Sequence, residues 1–365
     1  MTKKISFFLS SLNYGGAEKV LVFYANYLIK QKYDVSLITL NSSGPLKKKI
    51  NNNINIIDLK KNKLRNAIFA IIKVLKEKKI DIVVTSVNHC NILFCIIKFF
   101  FFKNFKLIIR QSNVFEKELT KKIIIKNFFY KFLIKFFYGR ADKIITICKE
   151  VDHSIKKLIG NRKSIKLIYN PINTSKAKIL SNKKVKNYWN KKSIKLLSVG
   201  SLIVQKNLKD LLFALSHIVN NQKLKFYHLL IFGNGKLYKE LKSLIKKLNI
   251  EKNVTIIKKT DNPFPYYNQT DLLIQTSLWE GLSNVLLEAL SCNAKILAYK
   301  IPGGTSEALG FGRYGNIIKR KNYYDLANNI VKSANKKRTK IPRSHLKKFD
   351  SKEICLKFKK LILKL

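Results

Sequence analysis

The chain has 365 residues, and 46% of them are hydrophobic. That is enough for two domains of ordinary size, each with its own core, and it excludes a disordered tail. The formal net charge is +52, from 73 Lys+Arg against 21 Asp+Glu. Lysine far outnumbers arginine and is spread along the whole chain, as an AT-rich genome would produce. A sequence-reading nucleic-acid partner is disfavoured, because such proteins lean on the bidentate arginine fork. An anionic membrane surface remains a fitting partner for this charge.

The first half alternates short apolar runs with longer helical patterns, which predicts a parallel α/β layer. Ile5 to Leu9 reads as a strand and Ala17 to Lys30 as a helix. Strands follow at Val35–Leu40 and Ile54–Leu59, a helix at Asn66–Lys78, and strands at Ile82–Thr85, Phe105–Ile109, Lys143–Ile147 and Ile165–Tyr169. Residues 173–192 are lysine-rich and aperiodic, and read as a linker between a domain at 1–172 and a second at 193–345. The second half restarts the rhythm with a strand at Ile194–Val199, a helix at Asn207–Asn220, a strand at Tyr227–Phe232, a helix at Leu237–Leu248 and a strand at Val254–Ile257. Leu272–Thr276 is a short buried strand, a helix starts at Val285, and Lys295–Tyr299 is a strand. Residues 346–365 hold a closing amphipathic helix. The expected architecture is two facing, doubly wound Rossmann-like α/β domains with a cleft between them.

Acids are scarce here, so Glu280 and Glu288 inside an apolar run need a reason. Trp279-Glu280-Gly281-Leu282-Ser283-Asn284 joins a strand end to a helix N-terminus, and Val285 opens the helix. Backbone N–H groups and the helix dipole at such a junction favour an anion such as phosphate. Carboxylates beside an anion repel it, so their expected targets are hydroxyls of a sugar or ribose. Gly15-Gly16 follows the first strand and exposes consecutive N–H groups at the next helix. No third glycine follows, so this is not the dinucleotide fingerprint. Lys206, in the turn after Ile194–Val199, can neutralise charge on a phosphate group there, or, among 73 Lys+Arg, be an ordinary surface lysine. Gly233 and Gly235 flank Asn234 after the next strand.

These residues resemble the donor-site signature of retaining GT-B glycosyltransferases of family four, whose wording is Glu-Gly-Phe-x-Asn-Val-Leu-x-Glu-Ala. Leu282 stands at the usual Phe. The resemblance implies that Glu280 lies against the donor sugar, that Glu288 holds the nucleotide's ribose, and that Lys206 clamps the diphosphate. It places Gly15, Gly16, Gly233 and the stretch Gly281 to Val285 at the donor. Ser201 stands where the family carries a second phosphate-clamping arginine. Arg110-Gln111-Ser112-Asn113 follows a first-domain strand where relatives often carry a histidine. The implied reaction moves a sugar from a nucleotide diphosphate, UDP in the first instance, to a growing glycan on a lipid carrier. Relatives adding N-acetylhexosamines in bacterial surface-polysaccharide or protein-glycan pathways look most similar. A nucleotide-sugar epimerase on the same scaffold is the alternative, and a basic nucleic-acid-binding protein a more distant one.

No Asp-x-Asp occurs, and no histidine or cysteine cluster has ligand spacing, so neither a metal nor another cofactor is expected. Five cysteines without Cys-x-x-Cys spacing fit a reducing compartment. The apolar start, Ile5 to Leu12, is broken by serines and reads as a strand rather than a signal peptide. No run reaches the ~18 clean apolar residues of a transmembrane helix. Ile125, Phe128, Phe129, Phe132 and Phe136 fall on one helical stripe flanked by Lys122, Lys126, Lys131 and Lys135. Such a stripe is either a core face or an interfacial face with snorkelling lysines. The expected location is cytoplasmic, peripheral to the inner face of the cytoplasmic membrane.

Overall fold

A computed structural model describes residues 3–13, 15–101, 104–114, 124–258 and 260–365, without the side chains of residues 124–127. The chain divides into two compact units. The first comprises Met1–Pro171 with Lys352–Leu365, the second Ile172–Ser351.

The first unit is a seven-stranded sheet of β1 (Lys4–Leu9), β2 (Asp34–Thr39), β3 (Asn55–Asp58), β4 (Ile82–Ser86), β5 (Lys106–Gln111), β6 (Lys143–Thr146) and β7 (Ile165–Leu167). Its spatial order is β3-β2-β1-β4-β5-β6-β7, and every pairing is parallel. Strands of such a sheet are covered on both faces, which is why they read as near-continuous apolar runs. The helices described here are α1 (Gly16–Lys30), α2 (Ile68–Glu77), α3 (Asn88–Phe100), α4 (Ile124–Phe137) and α5 (Lys149–Ile159).

The second unit begins with α6 (Thr174–Ser181) and carries β8 (Ile194–Val199), α7 (Leu208–Ser216), β9 (Tyr227–Phe232), α8 (Tyr238–Lys247), β10 (Val254–Ile257), α9 (Phe264–Gln269), β11 (Leu272–Gln275), α10 (Asn284–Ser291), β12 (Ile296–Tyr299), α11 (Thr305–Ala308), β13 (Asn316–Ile318), α12 (Tyr323–Ala334) and α13 (Arg343–Lys347). Its parallel sheet runs β10-β9-β8-β11-β12-β13. Both expected sheets are therefore present, and both are doubly wound. The strand order reverses between β1 and β4 in one unit and between β8 and β11 in the other. Ligands of open α/β sheets bind beyond the carboxyl ends of the strands at such a reversal.

Two expectations need correction. Residues 173–192 are not an aperiodic linker. Asn173 caps α6 by accepting a hydrogen bond from the Lys176 N–H at 2.8 Å. Beyond the helix Trp189 is buried, and its indole N–H donates to the Leu196 carbonyl at 2.9 Å. The inward face of α6 is small, with Ala177 and Ser181 buried, so no apolar period shows. The closing helix, α14 (Ser351–Leu363), is not a separate element after the second domain. It packs on the first unit, where Phe358 stacks on Tyr24 at 4.0 Å and meets Phe7 at 6.3 Å.

Helix α4 turns Ile134 and Phe137 inward. Phe128, Phe129, Phe132 and Phe136 are exposed, Phe128 by 75%. The stripe is thus an outer face, and Phe100 and Phe101 at the end of α3 are exposed as well. Phe99 joins the two helices, 5.9 Å from Phe136. Lys131 and Lys135 are exposed. Lys122 lies outside the described residues, as do the side chains of Ile125 and Lys126. Among the described residues no helix is long and apolar enough to cross a membrane.

Candidate donor site

The second unit's reversal point is built from two loops stitched together. The loop after β8 ends in a short turn, Val204–Lys206, that closes on Asn207 at a left-handed φ of 48°. Asparagine tolerates that conformation, and its amide donates to Asp210 Oδ2 at 2.7 Å. The loop after β11 runs alongside. Thr276 Oγ1 donates to the Lys206 carbonyl at 3.0 Å, the Leu278 N–H to the Gln205 carbonyl at 2.8 Å, and Gln205 Nε2 to the Trp279 carbonyl at 2.8 Å. The backbone of Lys206 is therefore fixed against the strand end that carries Glu280.

The two side chains meet. Lys206 Nζ forms an ion pair with Glu280 Oε1, and Ser277 Oγ donates to the same oxygen at 2.8 Å. Glu280 is only 8% exposed. A carboxylate that buried needs a paired cation and hydrogen bonds, and it has both. The glycine loop after β12 presses on it from behind: a Cβ on Gly303 would lie 1.7 Å from the Glu280 carbonyl oxygen, and Gly303 adopts φ +115°. Gly200, Lys206, Gln275, Ser277 and Val285 line a small cavity at the ends of β8 and β11.

Helix α10 starts behind Ser283, whose hydroxyl donates to Gln275 Oε1 at 2.8 Å and makes no helix cap. Leu282 and Ser283 are buried, while Asn284 and Val285 are partly exposed at the first turn. Glu288, one turn further along α10, does not line the cavity beside Lys206. It is half-buried, and the Tyr267 hydroxyl donates to its Oε2 at 2.8 Å. Ser277 and Tyr267 are residues that the sequence reading missed. A serine next to a strand end and a tyrosine in an apolar stretch carry no signal of their own.

Gly233 has a packing reason. A Cβ there would lie 2.1 Å from the Gly200 carbonyl oxygen, so the β9 turn closes on the β8 turn. The Lys206 side chain passes over Gly200, its Cε 3.1 Å from where a Cβ would be. Ser201 is exposed.

In the first unit, Gly15 is the N-cap of α1 and Gly16 its first residue. The Glu18 carboxylate folds back over Gly15, within 1.9 Å of a built Cβ. Burial raises the Glu18 carboxyl above its usual range, a backbone hydrogen bond and Arg110 opposing. Arg110 is fully buried, and burial pulls its guanidinium down to about 10. It donates to Ser86 Oγ at 3.1 Å and to Asn170 Oδ1. Arg110 thus anchors the end of β5 to the residue before Pro171, where the first unit ends. All five cysteines are buried, and none is in a disulfide. Among the described residues no three His, Cys, Asp or Glu side chains are grouped to hold a metal ion.

Comparison with known proteins fits this geometry. Residues 14–176 match the family model described as Glycosyltransferase Family 4, and residues 181–348 the one described as Glycosyl transferases group 1. A Campylobacter jejuni protein named N-acetylgalactosamine-N,N'-diacetylbacillosaminyl-diphospho-undecaprenol 4-alpha-N-acetylgalactosaminyltransferase is 27% identical over 334 residues, 88% of this chain and 87% of its own. A second protein of that organism, an alpha-1,4-N-acetyl-D-galactosaminyltransferase named for a GalNAc-containing, undecaprenol-diphosphate-linked glycan, is 29% identical over 297 residues, 79% and 76% of the two chains. The crystal structure of Anabaena HepE in complex with UDP and glucose superposes with a TM-score of 0.78 at 18% identity, over 100% of both chains. At that identity the likeness speaks for the fold, which is GT-B. With its two halves matched by two models of one enzyme class, the chain belongs to the family 4, group 1 glycosyltransferases.

Proposed function

We propose that this glycosyltransferase transfers a sugar from a UDP-linked donor, with retention of anomeric configuration, to a growing lipid-linked glycan in surface-polysaccharide or glycoconjugate synthesis. The observation that carries the reading is the Lys206–Glu280 pair at the reversal point of the second sheet. It sets a cation for a diphosphate beside a carboxylate for sugar hydroxyls. Lys206 would neutralise the β-phosphate as the glycosidic bond breaks, Glu280 would hold the sugar, and Glu288 the ribose. The first turn of α10, from Gly281 to Val285, would supply N–H groups and a favourable dipole. Gly15 and Gly16 would expose backbone N–H groups at the start of α1, and Gly233 would keep the β9 turn low beside the nucleotide. Retention would follow from departure and attack on one face, the leaving diphosphate taking the acceptor's proton. The lipid-linked acceptor is supported by the names of the two Campylobacter relatives, and the UDP donor by the UDP in HepE.

The test is a thermal-shift screen of nucleotide sugars, followed by transfer assays with membranes as acceptor source. UDP-N-acetylhexosamines should stabilise the protein and label lipid. Transfer should persist in excess EDTA, because cations of the chain replace a metal at the diphosphate. Complete loss in EDTA, restored by manganese, contradicts that part. Conversion of a donor sugar without acceptor would instead favour an epimerase.

The same reading places the protein peripherally on an anionic membrane. Phe100, Phe101, Phe128, Phe129, Phe132 and Phe136 supply insertion, and Lys131 and Lys135 supply charge. Each lysine near such a surface contributes on the order of 1 kcal/mol, screened by salt. Phe128→Ser with Phe132→Ser should lower sedimentation with anionic vesicles and lower activity on a lipid-linked acceptor more than on a soluble one. Because both rings are exposed, the thermal midpoint should hold. Unchanged vesicle binding would remove this face from the membrane account.

A further inference from the structure

Tyr267 lies on α9, is fully buried, and spends its hydroxyl on a carboxylate of the neighbouring helix α10. Burial and the adjacent Glu288 charge raise the phenol well above its ordinary value, so it stays a donor. Its frame is rigid. Asn262 Oδ1 accepts the Phe264 N–H at 3.2 Å at the start of α9, the Asn262 amide donates to the Leu180 carbonyl at 3.1 Å, and the adjacent Tyr266 hydroxyl donates to the Lys186 carbonyl at 2.9 Å. The Phe264 ring stands edge-on to Tyr267 at 6.0 Å. The segment once read as linker thus braces α9 from outside.

A glutamate has three rotatable side-chain bonds, so its carboxylate wanders unless something holds it. Its two oxygens together offer about four acceptor positions. The Tyr267 hydrogen bond at Oε2 takes up one of these positions, so it can steady the group and still let it accept from hydroxyls. We infer that Tyr267 is a positioning residue that holds the Glu288 carboxylate in place to receive the ribose hydroxyls of the donor nucleotide. The geometry behind this is a fully buried donor, 2.8 Å from a half-buried carboxylate on the first helix after β11. The inference rests on the ribose role given to Glu288 above.

The experiment uses UDP and 2′,3′-dideoxy-UDP, titrated into the full chain. In the unaltered protein UDP should bind more tightly, and Glu288→Ala should abolish the preference. Tyr267→Phe keeps the ring and removes one oxygen. It should weaken UDP by roughly tenfold, about the worth of one hydrogen bond to a charged group. It should leave 2′,3′-dideoxy-UDP binding unchanged, so that the preference shrinks, and it should raise KM for the donor with little change in kcat. Added to Glu288→Ala, it should cost nothing further. A Tyr267→Phe protein that keeps the full preference, or whose effect adds to that of Glu288→Ala, overturns the inference. If Glu288→Ala itself keeps the preference, the ribose role fails first, and the two failures are told apart. Should Tyr267→Phe not fold, a structure of the unaltered protein with UDP decides. The Tyr267–Glu288 hydrogen bond is expected to persist with a ribose hydroxyl on the same carboxylate, and a Glu288 that has left Tyr267 overturns the inference.

Discussion

Lys206→Ala should lower kcat by about a hundredfold or more, the usual effect of removing a group aimed at developing charge. Donor binding should fall by only roughly tenfold, because negative charge on the diphosphate grows as the glycosidic bond breaks. The departure at Ser201 sharpens the effect, since the arginine expected there is missing and Ser201 itself is exposed. Steady-state kinetics at saturating donor, with nucleotide titration alongside, separates the two quantities. The substitution also strands Glu280, 8% exposed, without its cation, so stability should drop too. Comparison at a temperature well below the lowered midpoint removes that contribution. Ser201→Arg is the companion variant, expected to raise turnover. If Lys206→Ala and Ser201→Arg both turn over like the unaltered protein, the leaving group does not sit at this end of the sheet.

Glu280→Gln should separate binding from catalysis in the opposite direction. In the ligand-free protein Lys206 is neutralised by Glu280. A diphosphate must compete with that carboxylate for the cation. Glutamine preserves size and can still accept from Ser277 Oγ, while the charge is gone. UDP should then bind more tightly by about tenfold, the worth of a charge-assisted hydrogen bond no longer spent inside the protein. Turnover with a UDP-sugar should fall steeply, because the sugar loses its carboxylate. A variant that binds UDP more weakly would mean that Glu280 supports nucleotide binding rather than opposing it.

The central strands were legible because they lie in parallel sheets with both faces covered, whereas the short, partly exposed edge strand β13 was not read. Phe7 and Phe8 of β1, or Leu229 and Leu230 of β9, are adjacent in sequence and equally buried. Helix α6 was illegible because its inward residues are Ala177 and Ser181, while the lysines around it look like solvated chain. In the candidate donor site, the wording around Glu280 and Glu288 falls on the loop after β11 and on α10, as the strand and helix signals implied. What could not be read was the partnering. Lys206 and Glu280 are 74 positions apart, and one lysine among so many has no mark. Tyr267 looked like a core aromatic, and its ring is one; its hydroxyl answers to Glu288, 21 positions on. Arg110 begins the stretch where relatives often carry a histidine, and its burial and its bond to Asn170 could not be read either. Pairings of this kind depend on which strand ends the topology brings side by side.

The most direct measurement is calorimetric titration of the protein with UDP and with UMP, which differ by one phosphate. If the turn after β8 is a diphosphate site, Lys206 meets the β-phosphate, and UDP binds at one site about tenfold or more tightly than UMP. In Lys206→Ala that excess should disappear while UMP binding is kept. Equal affinities for UDP and UMP in the unaltered protein, or an excess that survives the loss of Lys206, would contradict the assignment of this site.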